Sequence, residues 1–235
     1  MAVRHLGVEE AGWAAEMMAA RRGAYARYSP VFWRPRRGMT EEHAGFLERQ
    51  VQDPDIVALR TSHGFVIAQC RDREGLIDDF AIDGEGAWAD DGRELLTAAW
   101  DLLSARGLSV VRVVTAQADE PKVAMLVAAG LRLLEQWWVK PIEGVNQGGV
   151  AHGRVDRSGF SGILAPAPPV YDPGGPVLLA DRVSANTDLS VVEDEAARMG
   201  SVLVILPTEP GSERERALPD SGWAVASQWY LGQPH

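Results

Sequence analysis

Cysteine is nearly absent from this sequence of 235 residues, since Cys70 is the only one. A disulfide framework within the chain is therefore excluded, and so is a zinc site built mainly from cysteine. No run approaches the roughly 18 apolar residues of a membrane-spanning helix, and the start MAVRHLGVEE lacks the apolar stretch of a signal peptide. We therefore expect a cytoplasmic protein without a membrane partner.

Excess positive charge is also absent, because 33 acidic residues outnumber 23 basic ones and give a formal charge of −10. A nucleic-acid partner requires a basic face, so none is expected. The five histidines are scattered without the spacing of metal ligands. Neither a Gly-x-Ser-x-Gly turn nor a Walker loop occurs. We therefore expect no metal site and neither of those two kinds of catalytic loop.

The pattern of apolar residues predicts alternating helices and strands over the first 141 residues. In chain order these are strand 2–6, helices 8–27 and 41–52, strands 56–61, 64–71 and 75–82, helix 92–107, strand 110–115, helix 121–130 and strand 131–141. Short turns join the three consecutive strands, which predicts an antiparallel meander.

The composition changes after residue 141. Residues 142–170 are rich in Gly and Pro and show no long period, which indicates a linker or long loop. Beyond it we predict, in order, strand 176–180, helix 188–200, strand 201–207, helix 213–222 and strand 223–232. The predicted domains are therefore residues 1–141 and 171–235, with the linker 142–170 between them.

An internal repeat emerges when the sequence is compared with itself at an offset of 92 residues. Gly130 then aligns with Gly222, and the dipeptide Gln136-Trp137 aligns with Gln228-Trp229, without a gap. In each copy a helix that ends in glycine precedes a strand. Two copies are too few for a solenoid, so the pattern favours an old duplication of a strand–helix–strand–helix–strand unit.

The stretch GAWADDGRELL at 86–96 has two interpretations. A turn, a glycine and a leucine-bearing helix can form a phosphate cradle from the free N–H groups of a helix start. Asp90 and Asp91 would repel such a phosphate, but acidic residues also suit an ordinary capped helix start. The residues alone leave both interpretations open.

This order of elements, with the loop and the helix ending in "AGL", resembles the GCN5-related N-acetyltransferase family over residues 1–141. Residues 176–232 resemble the second half of that fold, with the cofactor loop largely deleted. The resemblance implies an α/β fold with a mixed sheet, carrying a half-length repeat at its C-terminus. It also implies acetyl-CoA as cosubstrate, bound where two neighbouring parallel strands separate.

The resemblance assigns particular residues to the cosubstrate. Strand Leu76–Ile82 would bond to the pantetheine, and its residues there are Phe80, Ala81 and Ile82. The pyrophosphate would lie on the loop Ala87–Gly92, at Asp91, Gly92 and Arg93. Two positions depart from the family pattern, because Ala87 replaces a Gln or Arg and Asp90 replaces a glycine. Leu126 also stands where the family often has a proton-donating tyrosine.

The same resemblance places Asp78 and Asp79 on the strand that lines the acceptor cleft. Neighbours on a strand point to opposite faces, so only one of them is expected to enter the cleft and accept a proton from an ammonium group. The alternative is an exposed carboxylate on an antiparallel sheet. His43 is a further candidate acid or base, or else a solvated helix residue.

The acceptor pocket of the family lies between the first two helices, where this chain has an aromatic segment. Its candidate substrate-binding residues are Tyr28, Phe32, Trp33 and Arg34. Aromatic rings with an arginine suit a planar or anionic acceptor, but they could equally form a hydrophobic lid over the core.

Two functions follow as hypotheses. The first is an N-acyltransferase that moves an acetyl group from acetyl-CoA to an amine of a small molecule or peptide, as a monomer or a homodimer. The second is a catalytically inactive protein of the same fold, retained as a binding or scaffolding module. The departures at Asp90 and Leu126 favour the second, and the intact frame of strands and helices favours the first.

Overall fold

The computed structural model describes residues 2–143 and 152–233, and within them the chain forms two compact units. The first unit comprises residues 2–24, 37–134 and 228–233. The second comprises residues 25–36, 135–143 and 152–227. Each unit therefore draws on more than one stretch of the chain, whereas the predicted domains were single stretches.

The first unit contains a sheet whose strands lie in the order β1-β2-β3-β4-β5. In chain order its elements are β1 (Arg4–His5), α1 (Ala11–Tyr25), α2 (Met39–Val51), β2 (Ile56–Arg60), β3 (Gly64–Arg71), β4 (Glu74–Ile82), α3 (Asp91–Ala105), β5 (Val110–Ala116) and α4 (Glu120–Ala128). Neighbouring strands are antiparallel except β4 and β5, which are parallel. The predicted meander and mixed α/β fold are confirmed.

Apolar side chains cover both faces of this sheet. On one face Phe80 of β4 packs in a cluster with Leu95 of α3 and Leu126 of α4. On the other face Ala81 belongs to a cluster with Leu47 of α2 and several alanines of α1. Burial of a large apolar side chain contributes about 1.5–3 kcal/mol. Strand β4 is thus held between two apolar layers, and any polar side chain buried on it needs a partner.

The second unit contains strands in the order β6-β10-β9-β8-β7. Its elements are β6 (Arg132–Pro141), β7 (Gly153–Arg157), β8 (Phe160–Ala165), β9 (Val177–Val183), α5 (Leu189–Arg198), β10 (Leu203–Thr208), α6 (Glu213–Ala217) and β11 (Ala224–Gly232); the start of β6 and the end of β11 lie in the first unit. Strands β9 and β10 are parallel, and the other three pairs are antiparallel.

Strands β7 and β8 correct the interpretation of residues 142–170 as a linker or long loop. They form a hairpin within that segment, closed by Gly159 at a positive φ of 94°. The prediction failed because β7 is short and polar, with Val155 as its single buried side chain. Such a strand lacks the apolar alternation on which the prediction depended. Residues 144–151 of the predicted linker lie outside the described residues.

Two geometric features recur at the offset of 92 residues. The described parallel pairing of β5 ends at Val113, and that of β10 ends at Ile205. Gly130 and Gly222 both have left-handed backbones, with φ of 84° and 77°. Glycine adopts this conformation without the steric penalty that other residues incur. The aligned positions therefore have corresponding backbone geometry in the two units.

Candidate active site

Strands β4 and β5 separate part-way along their length. Their register pairs residues 74–77 of β4 with residues 110–113 of β5. Both strands continue further, β4 as far as Ile82, but the described part of the chain shows no pairing between them past that point. Backbone groups of β4 that face β5 there must find other partners. The first side chain past the separation is that of Asp78.

A β-bulge in β4 lies at this separation. Ile77 and Phe80 are three residues apart, but their partners in β3 are only two apart. The intervening Asp78 and Asp79 therefore lie opposite a single residue of β3. Ile77 and Phe80 also belong to the same core cluster. The bulge therefore interrupts the strict alternation from which we expected the two carboxylates to point to opposite faces, and that expectation stays a prediction.

Asp79 is the centre of a buried cluster of charged and polar side chains. Arg22 of α1 donates from Nη2 to Oδ1 of Asp79 at 2.9 Å. His43 of α2 lies with Nε2 at 2.9 Å from the other oxygen, Oδ2. Burial alone would raise the pKa of Asp79, but the His43 hydrogen bond and the Arg22 charge outweigh it and lower that pKa. Asp79 is therefore an ionised, positioned carboxylate at neutral pH.

The same cluster fixes the orientation of His43. Nη1 of Arg22 lies 3.2 Å from Nδ1 of His43, and a guanidinium can only donate. Nδ1 of His43 is therefore the acceptor, which leaves Nε2–H to donate to Asp79. His43 is 3% exposed, so neither the solvated helix residue nor a freely accessible acid or base describes it. Arg22 was not predicted as a site residue, although it continues the apolar spacing of α1.

Asp78 has a different environment from its neighbour. Its side chain is exposed, while Asp79 is buried. Solvent reaches the residue, but the surrounding protein removes part of the hydration of its carboxyl group, and this desolvation, followed by the negative charge of Asp79, raises the pKa of Asp78. Two adjacent carboxyl groups whose pKa values move in opposite directions are typical of acid–base sites. Of the two carboxyl groups, that of Asp78 is the one open to solvent.

Lys122 of α4 spans the gap between the separated strands. Its Nζ donates to the carbonyl oxygen of Val114 on β5 at 2.9 Å and to that of Phe80 on β4 at 3.4 Å. The side chain is 1% exposed, and burial lowers its pKa to about 8. Lys122 was not predicted as a site residue, although it is spaced three and four residues from the buried Met125 and Leu126.

The lowered pKa of Lys122 predicts a measurable pH dependence of stability. Between pH 8 and 10.5 the unfolded chain still binds the proton that the folded protein has released, so stability rises with pH through this interval. The gain is roughly 3 kcal/mol for a shift from 10.5 to about 8. Urea unfolding of the wild type and of Lys122→Met at several pH values measures it. We expect the rise in the wild type only, and equal slopes would refute the shift.

The loop before α3 folds its tryptophan inwards. A 3₁₀ turn at Glu85–Trp88 buries Trp88 against Phe80, with ring centroids 4.9 Å apart. A Cβ on Gly92 would lie 2.8 Å from the Trp88 ring, so this position requires glycine for close packing. Asp90 occupies the N-cap position of α3, but its side chain accepts no capping hydrogen bond. The loop is therefore neither a side-chain-capped start nor a glycine-rich cradle.

The predicted phosphate-binding residue Arg93 is exposed at the start of α3. It lines a surface pocket of about 240 Å³ along α3, together with Thr97, Trp100 and Asp101. The remaining charges of residues 83–94 are all negative, and the structure leaves most of them exposed. They are Asp83, Glu85, Asp90, Asp91 and Glu94.

The aromatic segment predicted as an acceptor pocket belongs to the second unit. Trp33 is 7% exposed and donates from Nε1 to the carbonyl oxygen of Ala226 at 3.0 Å. Phe32 packs edge-on against it, and Arg34 donates to the backbone oxygen of Asp172. Tyr28 is 67% exposed. The alternative of a lid over the core therefore describes Trp33, whereas Tyr28 and Arg34 are exposed.

Neither a cluster of metal-ligating side chains nor a membrane-spanning helix occurs among the described residues. No three His, Cys, Asp or Glu side chains of residues 2–143 and 152–233 come together as they would around a metal ion. Within the same residues, every helix is too short or too polar to cross a membrane.

Comparison with solved structures shows which fold this is. A GCN5-related N-acetyltransferase from Sphaerobacter thermophilus is similar over 99% of this chain and 95% of its own, with a TM-score of 0.60 and 12% identity. A provisionally named acetyltransferase from Thermoplasma acidophilum is similar over 90% and 89%, with a TM-score of 0.58 and 12% identity. No family model and no curated protein sequence matches. Because the sequence identity is only 12%, this likeness establishes the fold alone.

Proposed function

We propose that this chain, which has the GCN5-related N-acetyltransferase fold, transfers an acyl group to an amine of a small molecule or peptide. The observation that carries the proposal is the separation of β4 and β5 at two carboxyl groups with opposite pKa shifts. The recurrence of strand geometry 92 residues apart further supports a tandem origin of the chain.

The two carboxyl groups have separate roles in this proposal. An ammonium group must lose a proton before its nitrogen can attack an acyl carbon, and Asp78 accepts that proton directly or through one water. The products of this step are a neutral amine and a protonated Asp78. Asp79 keeps its charge because Arg22 and His43 bind it, and so it holds the bulge in place.

The acyl donor implied by the fold is acetyl-CoA, and two features of the arranged residues oppose its binding. Lys122 already occupies the carbonyl oxygens of β4 and β5 across the gap. A carboxylate of the loop about 4–5 Å from a pyrophosphate, at an effective dielectric near 20, costs about 3–4 kcal/mol before screening. Asp90 and Asp91 both lie at the start of α3, where that pyrophosphate would bind.

An acylation assay tests the proposal. The wild-type protein is mixed with acetyl-CoA and a panel of primary amines, and both thiol release and the mass of the amine are followed. At millimolar acetyl-CoA, enough to compete with Lys122 for the carbonyl oxygens of Phe80 and Val114, we expect acylated amine and thiol in equal amounts with at least one acceptor. Thiol release without acylated amine would indicate hydrolysis and would contradict the proposed acceptor chemistry.

The second candidate is an inactive protein of this fold that serves as a binding or scaffolding module. Leu126, which stands where a proton donor to the thiolate would lie, is fully buried in the core. Leucine cannot donate a proton, so the departing thiolate lacks that acid. The acidic loop before α3 supports the same candidate.

A further inference from the structure

We propose that Lys122 is an autoinhibitory plug, whose side chain fills the gap between β4 and β5 and excludes acyl-CoA until it is displaced. The inference rests on the acyl transfer proposed above, because it concerns the regulation of that same site. The fold implies that acetyl-CoA binds in this gap, but the side chain of Lys122 already lies there.

The bonds of Lys122 place it inside the gap rather than beside it. One acceptor, Val114, lies past the last paired residue of β5, and the other, Phe80, lies past the last paired residue of β4. The ammonium therefore bridges the two strands where their own pairing has stopped. A ligand that bonds to the same edge of β4 competes with Lys122 for the carbonyl oxygen of Phe80.

Aromatic rings hold the Lys122 side chain in this position. Its Nζ lies 5.3 Å from the centroid of Phe80 and 5.8 Å from that of Trp88, within the range of cation–π attraction. The Trp88 ring also contacts Arg21, whose guanidinium carbon lies 4.6 Å from the ring centroid. Arg21 is in turn paired with Asp119. The plug is thus enclosed by packed side chains.

The plug is also released at a modest cost. Burial lowers the pKa of Lys122 to about 8, the positive charge of Arg21 adds to that effect, and the carboxylates of Asp119, Asp78 and Asp79 oppose it. A fraction of the side chain is therefore neutral near physiological pH, and a neutral amine binds its two carbonyl acceptors less strongly than an ammonium does. Amide N–H groups of an entering ligand would satisfy the same carbonyl oxygens.

The second unit provides an internal comparison. Arg214 lies 92 residues after Lys122, near the start of α6 as Lys122 is near the start of α4. Its Nη2 donates to the carbonyl oxygen of Ser184, after the end of β9. The described hydrogen bonds of Arg214 do not join β9 to β10. Lys122 joins the corresponding strands of the first unit, β4 and β5.

Binding of coenzyme A alone tests the plug without relying on turnover. Lys122 and Lys140 are the two lysines of the sequence, and Lys140 pairs with Glu193 in the second unit. Isothermal titration with millimolar coenzyme A compares the wild type, Lys122→Ala and the control Lys140→Ala. We expect Lys122→Ala to bind at least about tenfold more tightly than the wild type, and Lys140→Ala to bind as the wild type does.

Other outcomes separate the two proposals. Equal binding by the wild type and Lys122→Ala would overturn the plug and leave the acyl transfer standing. Failure of folded Lys122→Ala, confirmed by circular dichroism, to bind coenzyme A would overturn both. If that variant does not fold, acetic anhydride labelling of the wild type replaces it. A plugged Lys122 reacts at least about 100-fold more slowly than Lys140 because it is enclosed, and equal rates would overturn the plug.

Discussion

Replacing Asp79 with alanine is expected to lower the free energy of unfolding by about 3–5 kcal/mol. The side chains of Arg22 and Asp79 are only 5% and 8% exposed, so the substitution leaves a buried guanidinium without its carboxylate. His43 loses its acceptor at the same time. Urea unfolding followed by tryptophan fluorescence and by circular dichroism measures the change.

Asp78→Ala is the matched control for that experiment. Asp78 is the adjacent residue of the same bulge, but it is exposed, and an exposed substitution usually changes stability by less than about 0.5 kcal/mol. A large difference between the two variants would establish that Asp79 is a structural anchor. Equal effects would show that the bulge itself, and not the Arg22–His43 cluster, sets the stability.

Replacing Asp78 with asparagine is expected to lower kcat/KM for amine acylation by about 10²–10⁴-fold. Asparagine keeps the shape of the side chain but cannot accept a proton from an ammonium group. The melting temperature should stay close to that of the wild type, because Asp78 is exposed. Steady-state kinetics at fixed acetyl-CoA measure the loss.

The pH profile distinguishes a base from a residue that merely shapes the site. Only the ionised carboxylate is a base, so kcat/KM should rise with pH through the pKa of Asp78, which is raised above its ordinary value. Asp78→Asn should lose this rising limb. If it retains both the limb and full activity, Asp78 is not the base. If folded Asp79→Asn loses the limb instead, the assignment belongs to Asp79.

The sequence predicted the frame of the first unit because its signals are local. The strands at 56–61, 64–71 and 75–82 are separated by turns that leave a meander as the simplest arrangement, and the structure has that meander. The helix at 92–107 carries a stripe of leucines, which identifies its buried face without tertiary information. The pairing of β4 with β5 followed only from the family resemblance.

The candidate site could be predicted only in part, because its geometry depends on contacts between distant residues. Asp78 and Asp79 were found, but the bulge that places them depends on the register between β3 and β4. Arg22 reaches Asp79 from 57 residues away, and no sequence period reports such a contact. For Trp33 the sequence left an acceptor pocket and a lid over the core both open, and its burial corresponds to the lid.

The rarity of lysine has a consequence for self-modification. A protein that handles a reactive thioester exposes its own amines to stray acylation. Of its two lysines, one is enclosed between strands and the other is paired with a carboxylate at 2.7 Å. The chain uses arginine for the remaining basic side chains, and guanidinium groups stay protonated and poorly nucleophilic. Under the proposed acyl transfer, this arginine-rich composition leaves few lysine amines for the acyl donor to modify.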